Sequence, residues 1–388
     1  MPSRVLARGR AACACALAVA GIAGCTSGGS GNSSVTASGT TLTIYLSAAR
    51  TSQPDVAADV LDAERLAFLD SFPDSPASVA GFRLRIHTLQ GKISDQARTA
   101  IQDSSAIAYL GEVVPHSSYA SLGITNAVDL LQVSATDGAL ELTQSTPAVP
   151  GAPDKYYQSR STYGQTFARV VPTSGREARA LVQEMQALGA KKLYVDNDGG
   201  PYGAAMANAV KSDAAGKLSV VGSQAGADSV FYGTDSAAAA TRFFDAAAQS
   251  NPAIRLFGPS ALYDKTFAGG LSPAVRNVVI STAGFRAPDL PQAGTKFVSE
   301  FNSRFGHAPV PQAIFGYEAM SAVLAVLREA GSQANKRSTV VNDFLALKNR
   351  QSVLGTYSMN SSGDTSIAPF VFGRLQRGTL VPFAQVQG

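Results

Sequence analysis

Residues 106–143 read AIAYLGEVVPHSSYASLGITNAVDLLQVSATDGALELT, and the fold follows from how this stretch divides. An apolar run, Ala106 to Leu110, is stopped by Gly111 and gives way to a loop carrying His116, Ser117, Ser118 and Tyr119. A helix is expected next, then a second apolar run, Leu130 to Val133, which ends in Ser134-Ala135-Thr136-Asp137-Gly138. Short apolar runs bounded by turn residues and separated by a helix read as neighbouring parallel strands. Both strands then bring hydroxyl-bearing loops to one edge of a sheet. In open α/β sheets ligands bind beyond the carboxyl ends of the strands, where unpaired N–H groups suit an anion. The same residue types also cap helices and close turns, so the local pattern leaves both roles open.

The chain on either side repeats the alternation. Strands are expected at 41–46 and 82–89, with helices at 55–70 and 95–102 between them and the central stretch. Phe82, Leu84 and Ile86 alternate with Arg83, Arg85 and His87, which predicts a strand with one less buried face. Beyond a polar, Pro- and Gly-containing region at 141–163, further strands are expected at 167–171, 191–196, 218–222, 229–232, 254–257 and 278–281. Ser174 followed by Glu177 has the spacing of a capping box, ahead of an apolar stripe (Ala178, Leu181, Val182, Met185, Leu188) that Gly189 ends. Helices at 295–305, 313–330 and 339–348 and terminal strands within 369–386 complete the reading. Such β-α alternation predicts an α/β protein with doubly wound parallel sheets.

The ordered set of motifs resembles the branched-chain amino-acid-binding (leucine/isoleucine/valine) family of periplasmic binding proteins. Gly111, Ser117-Ser118, Ser134-Ala135-Thr136 and Leu142-Thr143 match its pattern, followed by Phe167-Ala168-Arg169, Pro201-Tyr202-Gly203 and Phe257-Gly258-Pro259. Tyr317-Glu318-Ala319-Met320, Gly355-Thr356-Tyr357 and Gly363-Asp364 continue it, so the resemblance spans roughly residues 41 to 385. It implies two doubly wound lobes joined by three hinge crossovers, the type I periplasmic-binding fold. Residues 41–170 with 284–371 would form the N-terminal lobe, and 171–283 with 372–388 the C-terminal lobe, with the third crossover near Val371.

The same resemblance implies the site. Ser117 or Ser118, with Ser134, Ala135 and Thr136, match positions that hold a ligand carboxylate, and Tyr202 matches an aromatic that closes over the ligand from the second lobe. The family's ammonium-binding Glu position falls on Ser260, and its Tyr position on Asp235 or Ser236. A closed cleft cannot hold an ammonium without a counter-charge. The expectation is therefore that Asp235 supplies that charge or that the ligand carries no ammonium; a helix cap is the alternative role for Asp235.

The N-terminus sets the location. Arg4, Arg8 and Arg10 precede an apolar run from Ala11 to Ile22, and then come Ile22-Ala23-Gly24-Cys25. This is a signal of residues 1–24, too short to span a membrane, with a lipobox-like end that implies cleavage and lipidation at Cys25. A Gly/Ser/Thr tether, residues 25–40, follows; such a coil has an r.m.s. reach of about 20 Å. The formal charge of +4 includes the three signal arginines, so the mature chain is nearly neutral and has no nucleic-acid footprint. Three histidines, with no zinc spacing, and no G-x-S-x-G, Walker or G-x-G-x-x-G motif argue against an enzyme, a metal or a cofactor. The expected function is an extracytoplasmic, lipid-anchored solute-binding protein that serves an ATP-binding-cassette permease. The alternative is a regulatory or sensor lipoprotein of the same fold, and an extracellular hydrolase is the more remote one.

Overall fold

The computed structural model describes residues 35–49, 53–74, 76–113 and 116–388. Cys25, the signal and most of the tether lie outside the described residues. Among the described residues, no helix is long and apolar enough to cross a membrane.

The first sheet is built from β1 (Thr41–Ala49), β2 (Ser78–Val79), β3 (Phe82–Gly91), β4 (Ala106–Leu110), β5 (Leu131–Ser134) and β6 (Phe167–Arg169) in the order β2-β3-β1-β4-β5-β6. All its pairings are parallel except that of the short edge strand β2 with β3. Every residue of β4 and β5 is buried, as expected of parallel strands covered on both faces by helices. The helix Ala313–Ala330 packs along Pro54–Ser71 on this lobe.

The second sheet comprises β7 (Lys192–Asn197), β8 (Ser219–Val221), β9 (Ser229–Gly233), β10 (Arg255–Gly258) and β11 (Val278–Ala283). A hairpin of β12 (Arg350–Ser352) and β13 (Gly355–Tyr357) stands apart, and β14 (Pro369–Gln376) and β15 (Thr379–Gln387) then extend the second sheet. Its order is β15-β14-β11-β10-β9-β7-β8, with β14 antiparallel to β11.

The chain passes between the sheets three times: after β6, after β11, and between β13 and β14. Phe370 already pairs with Ala283, so the third passage is complete by Pro369, ahead of the expected Val371. One close approach places a cleft element: a Cβ on Gly203 would lie 2.4 Å from the Gly233 carbonyl oxygen, and one on Gly233 2.3 Å from that of Gly203. Only glycines let the helix Pro201–Ala214 sit on the end of β9, which sets Tyr202 at the lobe edge.

Candidate functional site

The first-lobe half of the cleft is two loops tied together by their own polar groups. The Glu112 carbonyl, just past β4, accepts from Ser134 Oγ (2.8 Å) and Thr136 Oγ1 (3.2 Å), and the Glu112 N–H donates to Ser118 Oγ (3.2 Å). Asp137 accepts from the backbone N–H groups of His116 (2.9 Å), Ser117 (3.0 Å), Ser118 (2.8 Å) and Ala139 (3.1 Å). The Ser loop therefore does gather donors around an anion, but that anion is the chain's own carboxylate. Ser118, Ser134, Ala135 and Thr136 are all buried, and of these four only Thr136 lines the cavity between the lobes.

Arg169 fixes the second of these loops from below. Wholly buried, it donates to the carbonyls of Asp137 (3.0 Å) and Ala139 (2.7 Å), to Thr143 Oγ1 (2.5 Å) and to Asp364 Oδ1 (2.9 Å).

On the second lobe the decisive residue is one that the sequence assigned elsewhere. Ser174 and Glu177 form no capping box: the N-cap of the helix Ser174–Ala187 is Thr173, without a side-chain bond, and Ser174 Oγ accepts from the Leu140 N–H (3.0 Å). Glu177 instead turns into the cleft and accepts from Ser260 N–H (2.6 Å), Ser260 Oγ (3.0 Å) and Ser281 Oγ (2.7 Å). The capping motif lost because three tertiary donors outbid one local N–H. Burial raises the Glu177 carboxyl above its ordinary pKa, against the pull of the bonds from Ser281 and Ser260.

Across from Ser260, Gln53 of the first lobe donates its Nε2 to the carbonyls of Ser260 (3.2 Å), Ala261 (3.0 Å) and Tyr263 (3.4 Å). Lys265 and Asp55 add an exposed ion pair between the lobes at 2.9 Å. Between the lobes lies a cavity of about 20 Å³, lined by Gln53 and Thr136 on one side and Glu177 and Ser260 on the other, with Val171, Pro172, Thr282, Ala283 and Phe370 of the crossovers behind them. That volume has room for about one water.

The other expected residues lie toward the rim. Tyr202 is buried, its ring 5.4 Å from that of His116 across the cleft, and His116 is a further 5.4 Å from Tyr119. His116 Nδ1 lies 3.0 Å from Glu141 Oε1. Burial lowers the imidazole pKa, but the carboxylates of Glu141, Asp137 and Asp235 outweigh it, and the net effect is upward. Asp235 itself is exposed and caps nothing: Ser236 caps the helix Ala237–Ser250, accepting from the Ala239 N–H. Ser117 is half-buried beside Ser118. Among the described residues no group of three or more His, Cys, Asp or Glu could hold a metal ion.

A family model described as "Periplasmic binding protein" matches residues 221–379. No curated protein matches the chain. Among solved structures, a leucine-binding protein of Thermotoga maritima superposes with a TM-score of 0.71 at 17% identity, covering 89% of this chain and 98% of its own. A substrate-binding protein of an ABC transporter from Desulfitobacterium hafniense, in complex with leucine, gives 0.68 at 16% identity over 88% and 100%. A solute-binding protein from R. palustris in complex with benzoate gives 0.66 at 17% over 90% and 97%. The chain has the type I periplasmic-binding fold that its sequence motifs resemble.

Proposed function

We propose that this chain, built on the type I periplasmic-binding fold, is an extracytoplasmic solute-binding lipoprotein that captures a small polar ligand between its lobes for an ABC importer. One observation carries the reading: Thr136 and Gln53 of one lobe and Glu177 and Ser260 of the other line a single cavity. Only a closed protein offers both sets at once, so a ligand touching both lobes shifts the population toward closure. On this reading Thr136 is the first-lobe contact, with Ser117, Ser118, Ser134 and Ala135 in the loops that hold it in place, and Ser260 is the second-lobe contact, with Tyr202 and Asp235 toward the rim. Among the solved structures with this fold are one in complex with leucine and one in complex with benzoate, which supports a ligand of amino-acid, amide or carboxylate size.

A thermal-shift screen of amino acids, amides, small carboxylates and polyols, followed by calorimetry, tests capture directly. The expected outcome is one chemical class that raises the melting temperature. In Thr136→Val its affinity should fall about tenfold or more, because a hydrogen bond to a charged group is worth about 1.5–3 kcal/mol. Unchanged affinity in Thr136→Val and in a Ser117→Ala/Ser118→Ala double variant would move the site away from these loops.

The narrowness of the cavity favours a second reading, a regulatory lipoprotein of the same fold whose lobes rest shut on Gln53 and His116. A screen in which no compound shifts the melting temperature would favour it.

The anchor is part of the proposal. Ile22-Ala23-Gly24-Cys25 and the tether after it support lipidation of Cys25, which would hold the folded lobes beside their permease. Mass spectrometry of the membrane fraction should find a diacylglyceryl group on a new N-terminal Cys25. An unmodified Cys25 in protein released to the medium excludes it.

A further inference from the structure

Gln312 is 6% exposed, its Oε1 has no hydrogen-bond partner, and it lines the cavity together with the Glu177 carboxylate. Among the described residues no Lys, Arg or His lines this cavity. The N–H groups of residues 116–118, the donors best placed for a ligand anion, already hold the carboxylate of Asp137. A ligand carboxylate entering here would find that nest occupied and a like charge opposite, and like charges that share a dry site cannot both stay ionised.

The cavity has a neighbour with which it shares two lining residues. Gln312 and Val56 belong as well to a neighbouring chamber of about 190 Å³, whose walls include Tyr263, Val310, Pro311 and Leu380 and whose rim carries the Lys265–Asp55 pair. A buried amide whose oxygen is unpaired therefore stands at the junction of a small acceptor-lined cavity and a larger apolar one. Leaving a buried acceptor unpaired is costly, and a ligand N–H reaching this point would satisfy Gln312 Oε1.

Resting on the solute-capture reading, we infer that the cleft takes the N–H-bearing head of an amine or amide rather than a carboxylate, with the ligand's apolar group lodged in the chamber beside Gln312. Glu177 faces the head as its counter-charge and Gln312 accepts one of its N–H groups. The second lobe thus recovers, from the helix Ser174–Ala187, the carboxylate that Ser260 lacks. An ammonium beside Glu177 also favours the ionised carboxylate over the protonated one.

Four leucine-shaped probes separate the charges: leucine, leucinamide, 3-methylbutylamine and 4-methylpentanoate, each titrated calorimetrically into the full-length protein in detergent. Leucinamide and 3-methylbutylamine should bind at least tenfold more tightly than leucine, and 4-methylpentanoate should not bind. Glu177→Gln should erase the preference, and Gln312→Leu should weaken the amide about tenfold without lowering the melting temperature. If Glu177→Gln does not fold, the Gln312→Leu result and the order of the four probes still decide. Tightest binding by 4-methylpentanoate or leucine, unmoved by either substitution, overturns the charge assignment while leaving solute capture intact. Binding by none of the four overturns the assignment as well, and the wider solute screen then decides capture.

Discussion

Replacing Asp364 by Ala should lower the unfolding free energy by about 3–5 kcal/mol, the cost of stranding one partner of a buried ion pair. Asp364 is almost wholly buried; its Oδ1 accepts from Arg169 Nε (2.9 Å) and Thr143 Oγ1 (2.9 Å), and its Oδ2 from Gln144 Nε2 (2.7 Å). Removing the carboxylate leaves an uncompensated guanidinium in the floor of the first lobe. The damage should also reach the site, because Arg169 holds the carbonyls of Asp137 and Ala139 on the loop that forms half of the cleft. Chemical denaturation of Asp364→Ala and of Asp364→Asn checks this. Asn keeps an acceptor for Arg169 and should lose less than Ala. A loss below about 1 kcal/mol in Ala would mean that the pair is dispensable.

That the fold could be read from the sequence and the site only in part has a physical origin. β4 coincides with the expected run because five apolar residues with Gly111 behind them carry their signal within the segment. The helix Ala313–Ala330 was equally plain, being an apolar stretch that ends at Gly331. The hairpin β12–β13 carries no such signal, since three-residue strands leave too short a period to register. At the site, the motifs propose Thr136, Ser260 and Tyr202, of which Thr136 and Ser260 line the cavity, yet the groups that set its charge carry no motif. Glu177 stands three residues after Ser174, which is the spacing of a capping box, while its actual partners are 83 and 104 residues away. Asp137 looked like one letter of a Thr-Asp-Gly turn, and its role as the anion of the 116–118 loop depends on β4 and β5 being paired neighbours. Gln53 and Gln312 carry no local signal; an amide becomes informative only when its surroundings have been dried and counted.

The same loop pair makes the protein's stability depend on pH in a defined direction. Glu112 is fully buried; its Oε2 accepts from Ser47 Oγ (2.5 Å) and its Oε1 from Tyr109 Oη (2.9 Å). Burial pushes its carboxyl from the ordinary 4.5 up to about 7, although the bonds from Ser47, Ser121 and Tyr109 resist the rise and Asp137 adds to it. A carboxyl whose pKa is raised on folding binds its proton more tightly in the folded than in the unfolded chain. Its contribution to stability is therefore complete below about pH 4.5 and is lost as the pH climbs through about 7. The shift corresponds to about 3 kcal/mol between those limits. Glu112→Gln takes the titration away while keeping an acceptor for Tyr109 and giving Ser47 a donor to face, since a hydroxyl can turn to accept. Other buried acids, among them Glu64 and Asp129, also have raised pKa values, so the quantity to follow is the difference between variant and wild type in urea melts from pH 4.5 to 8.5. The two should be closest at the acid end. The variant should gain steadily as the pH rises and lead by about 2–3 kcal/mol at pH 8.5; a difference that stays flat across the range would show that Glu112 keeps an ordinary pKa in the folded protein.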